Sequence, residues 1–206
     1  MFELVKKSDL VISLIPPFLH IHIARACFYN KKNLITTSYV SEEIKKMDSD
    51  LKKANLQFMF ECGITPGLDH IIATKVVEEQ KKLGNKIIGY ESWIGAIPSP
   101  ESVDNPLLYK FSWNPKEALL VLKNDARQLI NGKVSRISEK NLFTSALVDK
   151  RFHPSLNLEG YYNRDSMKYR ELYNLRDANS IIRGYLRYQG FTFIMQCFKY
   201  LNLLSF

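Results

Sequence analysis

A glycine-rich dinucleotide turn is absent from this sequence. None of its nine glycines falls into a GxGxxG spacing. That spacing lets backbone N–H groups approach a pyrophosphate after the first strand of a dinucleotide-binding half. Cysteine is scarce too. Cys27, Cys62 and Cys197 are odd in number, far apart and never in a CxxC pair. That argues against a disulfide framework and for reduced, buried thiols in an intracellular compartment. No apolar run reaches the length of a membrane span. The opening "MFELVKKSDLVISLIPP" is not a signal peptide, since Glu3 and Asp9 are acidic and its apolar run is short. Blocks of five Lys/Arg, zinc-finger spacings, RNP motifs, internal repeats and low-complexity stretches are all missing, which argues against a nucleic-acid partner.

What is present fits an ordinary globular chain. Of 206 residues, 46% are hydrophobic and 24% charged, enough for one large domain or two small ones with a sizeable core. The 29 Lys and Arg against 21 Asp and Glu leave a net charge of +8. Such a balance favours acidic partners, whether nucleic acid, anionic membrane or small polycarboxylates, of which nucleic acid is the weakest reading here.

The first third alternates strand and helix. "DLVISLIPP" is a short branched-aliphatic run stopped by Pro16 and Pro17, the pattern of a strand buried on both faces. "FLHIHIARACFYNKK" reads as a helix and "NLITTSYV" as a second buried strand. "SEEIKKMDSDLKKAN" reads as one polar amphipathic helix capped by Ser41, and "LQFMFECG" as a third strand. This is the repeat of a doubly wound α/β fold. A chain that opens just before a buried strand is expected to hold only the second part of that sheet, a partial module whose first half is absent.

From residue 63 the character changes. "TPGLDHIIATKVVEEQKKLG" predicts a helix with Ile71, Ile72, Val76 and Leu83 on its apolar side and Gly84 at its C-cap. "KIIGYESWIGAIP" alternates like a strand. "SWNPKEALLVLKNDARQLINGK" carries Asn114, Pro115, Glu117 and Gly132 at the places of helix boundary signals, so a helix is expected throughout. "NSIIRGYLRYQG" predicts a strand with Arg183, Tyr185 and Arg187 on one face. "FTFIMQCFKYLNLLSF" predicts a closing helix, and its apolar end suggests further chain beyond it.

Six motifs then occur in order: "DLVISLIP", "TTSYVS", "PGLDH", "DNPLLYKFSW", "LNLEGYYNRDS" and "IIRGYLRYQG". Together they resemble saccharopine dehydrogenase of the L-glutamate-forming type, over nearly the whole chain, and "LNLEGY" is closer to the animal form of the family. The resemblance implies a partial Rossmann-like dinucleotide-binding domain over 1–62 and a partial α+β substrate and dimerisation domain over 63–206. It implies oxidation of saccharopine with NAD or NADP and water, giving glutamate and α-aminoadipate semialdehyde. The complete module uses the cofactor; this chain, lacking the glycine-rich turn, is expected to bind none alone. Mitochondria are implied by likeness to the animal form, with the cytoplasm as alternative, and a homo-oligomer is possible in such a family.

The resemblance also implies roles residue by residue. Ser13, Leu14 and Ile15 match a stretch along the cofactor. Thr37 and Ser38 match a pair touching both cofactor and substrate. Ile64, Thr65 and Pro66 match the turn at the nicotinamide end, with Thr65 also toward substrate, and Trp113 matches a further cofactor contact. Arg164 matches a substrate carboxylate clamp, and Tyr185, Leu186 and Arg187 a second substrate segment. A planar guanidinium holds a carboxylate by two parallel hydrogen bonds, which Lys cannot do.

Departures from the family pattern accompany these matches. Thr65 stands where a substrate-contacting carboxylate is usual, Ile94 where a thiol is usual, and Pro17 where an aromatic is usual. Each signal also has a structural reading. Arg164 and Asp165 alone would be a surface ion pair of little worth. Asp69 would serve the start of the helix after it. His70 is a candidate acid or base, though a packed, hydrogen-bonded histidine is the commoner role. His20 and His22 lie two apart and face different helix sides, so no metal site is expected. Two functions are carried forward: an oxidoreductase of lysine metabolism represented by a partial module, and a non-catalytic fragment or diverged paralogue serving as a folding or dimerisation unit.

Overall fold

The computed structural model describes residues 1–112, 114–149 and 152–204. The chain divides into two compact units, Met1–Glu79 and Gln80–Phe206.

In the first unit, α1 (Phe2–Lys7) precedes β1 (Leu10–Ser13), α2 (His20–Tyr29) and β2 (Asn33–Thr36). Two short helices, α3 (Glu42–Lys45) and α4 (Asp48–Lys53), lead to β3 (Phe58–Met59). The strands form a parallel sheet in the order β1-β2-β3, with Ile12 beside Ile35 and Leu34 beside Phe58. Ala24, Ala26 and Cys27 of α2 pack on Leu34, Val5 and Ile44 to form the core. Burial pushes the Cys27 thiol up to about 11, so it stays protonated and unreactive at neutral pH.

β1 departs from the expectation of a strand buried on both faces. Val11 packs against the core, whereas Leu10 and Ile12, on the other face, are exposed. The polar helix expected over 41–55 splits at Lys46 and Met47. Its first half is capped as expected, with the Ser41 hydroxyl accepting from the Ile44 N–H at 3.4 Å. The third strand is short because Glu61 takes a left-handed conformation, φ 60°, which an extended ladder does not tolerate. Helix α5 (Leu68–Lys82) follows. It buries Val77, while Ile71, Ile72, Val76 and Leu83, the residues expected on its packed side, are exposed.

The second unit is a mixed sheet around β9 (Ser180–Tyr188). β4 (Gly89–Ile94) lies parallel to it from Gly89 beside Ser180 to Ile94 beside Tyr185. β8 (Leu158–Tyr162) runs antiparallel, with Glu159 opposite Arg187 and Tyr161 opposite Tyr185. β5 (Ala126–Ile130), β6 (Lys133–Ile137) and β7 (Leu147–Val148) complete the order β6-β5-β9-β8-β7. Helices α6 (Pro115–Leu120), α7 (Lys168–Leu172) and α8 (Phe191–Tyr200) flank the sheet sequence. Tyr109, Leu122, Phe143, Tyr161, Phe191 and Met195 make the main core.

One expected helix is half strand. Residues 115–131 form α6, a single 3-10 turn over Val121–Lys123, and then β5. The deciding signal is Asn131-Gly132. Both residues have positive φ, 48° and 76°, the geometry of a two-residue hairpin turn whose twist suits the flanking strands. Gly132 therefore joins β5 to β6 instead of ending a helix.

Candidate active site

In a parallel α/β sheet, ligands gather at the carboxyl ends of the strands. In the first unit that edge carries Ser13 at the end of β1 and Thr36, Thr37 and Ser38 at the end of β2. A residue that sequence reasoning weighed only as a metal ligand, and set aside, connects them. His20 opens α2 and is 2% exposed. Its Nδ1 lies 2.9 Å from the Ser13 hydroxyl, and its Nε2 lies 2.9 Å from the Ser38 hydroxyl and 3.3 Å from that of Thr36. The Thr36 hydroxyl also accepts the Ser38 N–H at 3.3 Å. Burial lowers the imidazole pKa, because a charged ring loses more hydration than a neutral one. The sequence offered one clue, a histidine shortly after a strand-ending Pro-Pro, but the hydroxyl partners lie up to eighteen residues away.

The "GITPG" turn abuts the same edge. The Gly63 N–H donates to the Pro66 carbonyl at 2.9 Å, and the Leu68 N–H donates to the Gly63 carbonyl at 2.8 Å. Gly67 has φ 142°, and backbone oxygens of Glu61 and Gly63 occupy the place of any Cβ there. Gly63 packs beside the Thr37 side chain. Two glycines thus fold Ile64, Thr65 and Pro66 into a compact loop next to β2, with a cis bond between Thr65 and Pro66. Asp69 accepts the Gly67 N–H at 2.8 Å and so steadies the turn. His70 is half-buried in the first turn of α5. Leu14, Ile15 and Ile64 are exposed apolar residues around the hydroxyls.

The second unit displays arginines in two different ways. Arg164 is exposed and sits in the left-handed region, φ 51°. Its neighbours hold it there. The Arg164 carbonyl accepts the Arg127 N–H at 2.9 Å, and the Ser166 hydroxyl accepts the Arg183 N–H at 2.9 Å. Asp165 accepts the Met167 N–H at 2.8 Å and pairs with Arg127 at 3.1 Å. Arg127 stands opposite Arg136 across β5 and β6, so Asp165 also offsets a like-charge pair. The sequence could not show that the partner of Asp165 is Arg127.

Arg187 is 7% exposed, with its guanidinium carbon 4.7 Å from the Tyr109 ring and 5.3 Å from those of Tyr185 and Phe191. Nη1 donates to the Leu186 carbonyl at 2.7 Å. Its Nε and the Tyr161 hydroxyl are buried without a hydrogen-bond partner among the described residues. Arg187 stands opposite Glu159 in the β8–β9 register, and Arg164 follows the end of β8 at Tyr162. Tyr185 and Leu186 are half-buried. Trp113 lies outside the described residues.

Two family models match the chain. The model of the saccharopine dehydrogenase NADP binding domain matches residues 1–59, and that of the saccharopine dehydrogenase C-terminal domain matches 63–206. The chain belongs to the saccharopine dehydrogenase family. Mitochondrial alpha-aminoadipic semialdehyde synthase of Rattus norvegicus is 41% identical over 203 residues, 98% of this chain and 22% of that protein. The NADP(+), L-glutamate-forming saccharopine dehydrogenase of Pyricularia oryzae is 43% identical over 187 residues, 91% of this chain and 41% of the fungal one. The structure of apo saccharopine dehydrogenase (L-Glu forming) from Saccharomyces cerevisiae superposes with a TM-score of 0.90 at 34% identity, covering 99% of this chain and 46% of that one. The chain thus spans less than half the length of these relatives.

The saccharopine dehydrogenase family uses a nicotinamide cofactor in its NADP binding domain, and the residues here fit one end of it. Hydroxyls of Thr37 and Ser38 beside exposed Leu14, Ile15 and Ile64 suit a ribose and an uncharged ring, whereas the Ser13 hydroxyl, expected along the cofactor, is buried against His20. No glycine precedes Gly63, so the backbone cradle of a pyrophosphate is not among these residues. No group of three or more His, Cys, Asp or Glu suited to a metal ion occurs among the described residues. No described helix is long and apolar enough to cross a membrane.

Proposed function

We propose that this chain supplies the nicotinamide-facing edge and the substrate-gripping surface of an oxidoreductase that cleaves saccharopine. Residues 1–62 serve the cofactor and 63–206 the substrate. The reaction removes a hydride from the lysine-derived carbon attached to the secondary amine and passes it to NADP+. The resulting imine adds water and splits into glutamate and α-aminoadipate semialdehyde. When bound, the cofactor supplies the hydride acceptor. The chain's own residues bind and orient: Thr37 and Ser38 offer hydroxyls, Thr65 offers an uncharged oxygen, and Arg164 offers a planar fork for one of three carboxylates. The observation that carries this reading is the exposed, left-handed Arg164, held on a loop anchored by Asp165 and Ser166 within a family that acts on a tricarboxylate.

The test is a saccharopine titration of the chain, followed by NMR, against Arg164→Lys. The lysine keeps the charge but loses the second hydrogen bond, so affinity should fall at least tenfold, consistent with about 1.5 kcal/mol or more for a charged hydrogen bond. The melting temperature should barely move. Lost stability with unchanged affinity would make Arg164 a structural residue. The alternative, a folding or dimerisation unit without catalysis, draws support from Thr65 in place of a carboxylate, and it expects no saccharopine binding. The compartment we propose is the mitochondrion, by likeness to the rat relative; imaging a tagged full-length gene product checks it.

A further inference from the structure

His20 was built into the first unit at a chemical cost. An imidazole taken almost wholly out of water must have both ring nitrogens satisfied. Here three hydroxyls from two strands meet that need: Ser13 from β1, and Thr36 and Ser38 from the end of β2. Ser13 and Thr36 are buried, whereas Ser38 is partly exposed at the carboxyl end of the sheet. A single histidine therefore ties two strand ends together and touches the one hydroxyl of the three that a ligand can reach.

The arrangement also selects a tautomer. A neutral ring has one N–H and one lone pair. Nδ1 faces one hydroxyl, and Nε2 faces two oxygens at 2.9 and 3.3 Å. One N–H can be shared between two acceptor oxygens, as three-centre bonds show. A single in-plane lone pair suits a single donor, which is Ser13. The N–H thus belongs on Nε2. We propose that His20 is a positioning residue: as the Nε2–H imidazole it receives the Ser13 hydroxyl, donates to the Ser38 oxygen, and leaves the Ser38 hydroxyl proton aimed at an anionic oxygen of the ligand, carboxylate or phosphate. In the opposite tautomer the Ser38 proton would be drawn toward the ring. This inference rests on the reading that the strand ends of the first unit take substrate and cofactor.

Two amide substitutions separate the two bonds. An asparagine side chain places its amide near the Nδ1 position and keeps only Ser13 in reach, whereas the longer glutamine extends toward the Nε2 position and keeps Ser38. The experiment uses the 206-residue chain with saccharopine as the carboxylate probe and NADP+ as the phosphate-bearing probe, both followed by NMR. His20→Gln should bind the responding probe within about threefold of the parent, and His20→Asn at least tenfold more weakly, the scale of one charged hydrogen bond. Ser38→Ala should match His20→Asn, and combining the two should cost no more than either alone. Loss with saccharopine assigns a carboxylate; loss with NADP+ assigns a phosphate. If the parent binds a probe and His20→Asn binds it equally well, the proposal is overturned while the functional reading stands. If the parent binds neither, the functional reading falls, and the role of His20 with it. Should a variant not fold, nitrogen-15 histidine spectra of the parent decide. A slowly exchanging proton on Nε2 supports the proposal, and one on Nδ1 overturns it.

Discussion

At the scale of single residues, this site trades charge for hydroxyls. Thr65 sits in a turn closed by Gly63 and Gly67, so its oxygen is well placed but carries no charge. A carboxylate there could accept a proton or hold an ammonium; a hydroxyl can only share a hydrogen bond. In a chimera carrying the dinucleotide turn of a fungal relative, Thr65→Asp should raise saccharopine turnover roughly ten- to hundredfold, the worth of about 1–3 kcal/mol in the transition state. Unchanged or slower turnover would show that the pocket has adapted to threonine. His20 yields a second prediction from the same unit. Its folded pKa lies below 6.5, so the unfolded chain binds the proton more readily. The stability this neutral ring supports is complete above about pH 6.5 and is lost as pH falls toward the lowered value, with a slope of at most about 1.4 kcal/mol per pH unit. Denaturation midpoints between about pH 7.5 and pH 5 should show this slope in the parent and a shallower one in His20→Gln. Identical slopes would mean the ring's burial is not linked to folding.

At the scale of elements, the second unit is organised by one ring lying on two glycines. Trp93 of β4 stands beside Gly184 of β9 in register, and its ring occupies the space that a Cβ on Gly184 or Gly160 would need. The Trp93 ring also packs against Phe152 at 4.8 Å and Tyr162 at 6.1 Å. Strand glycine is otherwise a weakness, so its presence in two neighbouring strands marks this close approach. Gly184→Ala should destabilise the chain by about 1–3 kcal/mol through overpacking, read from the urea midpoint. Gly89, in the same β4, meets only ordinary contacts, and Gly89→Ala should change stability by no more than about 0.5 kcal/mol. Equal effects at both positions would show that the Trp93 ring can move aside. The opposite face of β8 and β9 carries Tyr161, Tyr185 and Arg187, and the Tyr109, Tyr185 and Phe191 rings against the Arg187 guanidinium explain why a charged side chain can be nearly buried.

At the scale of the whole molecule, the cofactor presents a question of parts. The first unit has hydroxyls and apolar residues for a nicotinamide end, yet no glycine cradle for the pyrophosphate, from which most dinucleotide affinity comes. The 206-residue chain should therefore show no micromolar affinity for NADP+ by calorimetry, and fusion to a glycine-rich turn should restore it. Micromolar binding by the chain alone would mean that another surface holds the phosphates. Much of this was legible beforehand. The alternation of branched-aliphatic runs with helices marked the parallel sheet, because buried strands and amphipathic helices differ in hydrophobic period. The ordered motifs marked the family, and Ser41 marked a helix start. These are local or collinear signals, and sequence carries them directly. Other features depended on what the chain meets in space. Residues 126–130 are a strand because Asn131-Gly132 turns them onto β6 and Leu129 reaches β9, which outweighed the helix signals before them. Asp165 turns to Arg127, thirty-eight residues away, instead of to its neighbour. His20 gained its meaning only when β1 and β2 came side by side and brought three hydroxyls to one ring. Local pattern thus determined the elements and the family, while burial, which demands a partner for each polar atom, decided which distant residues became a site.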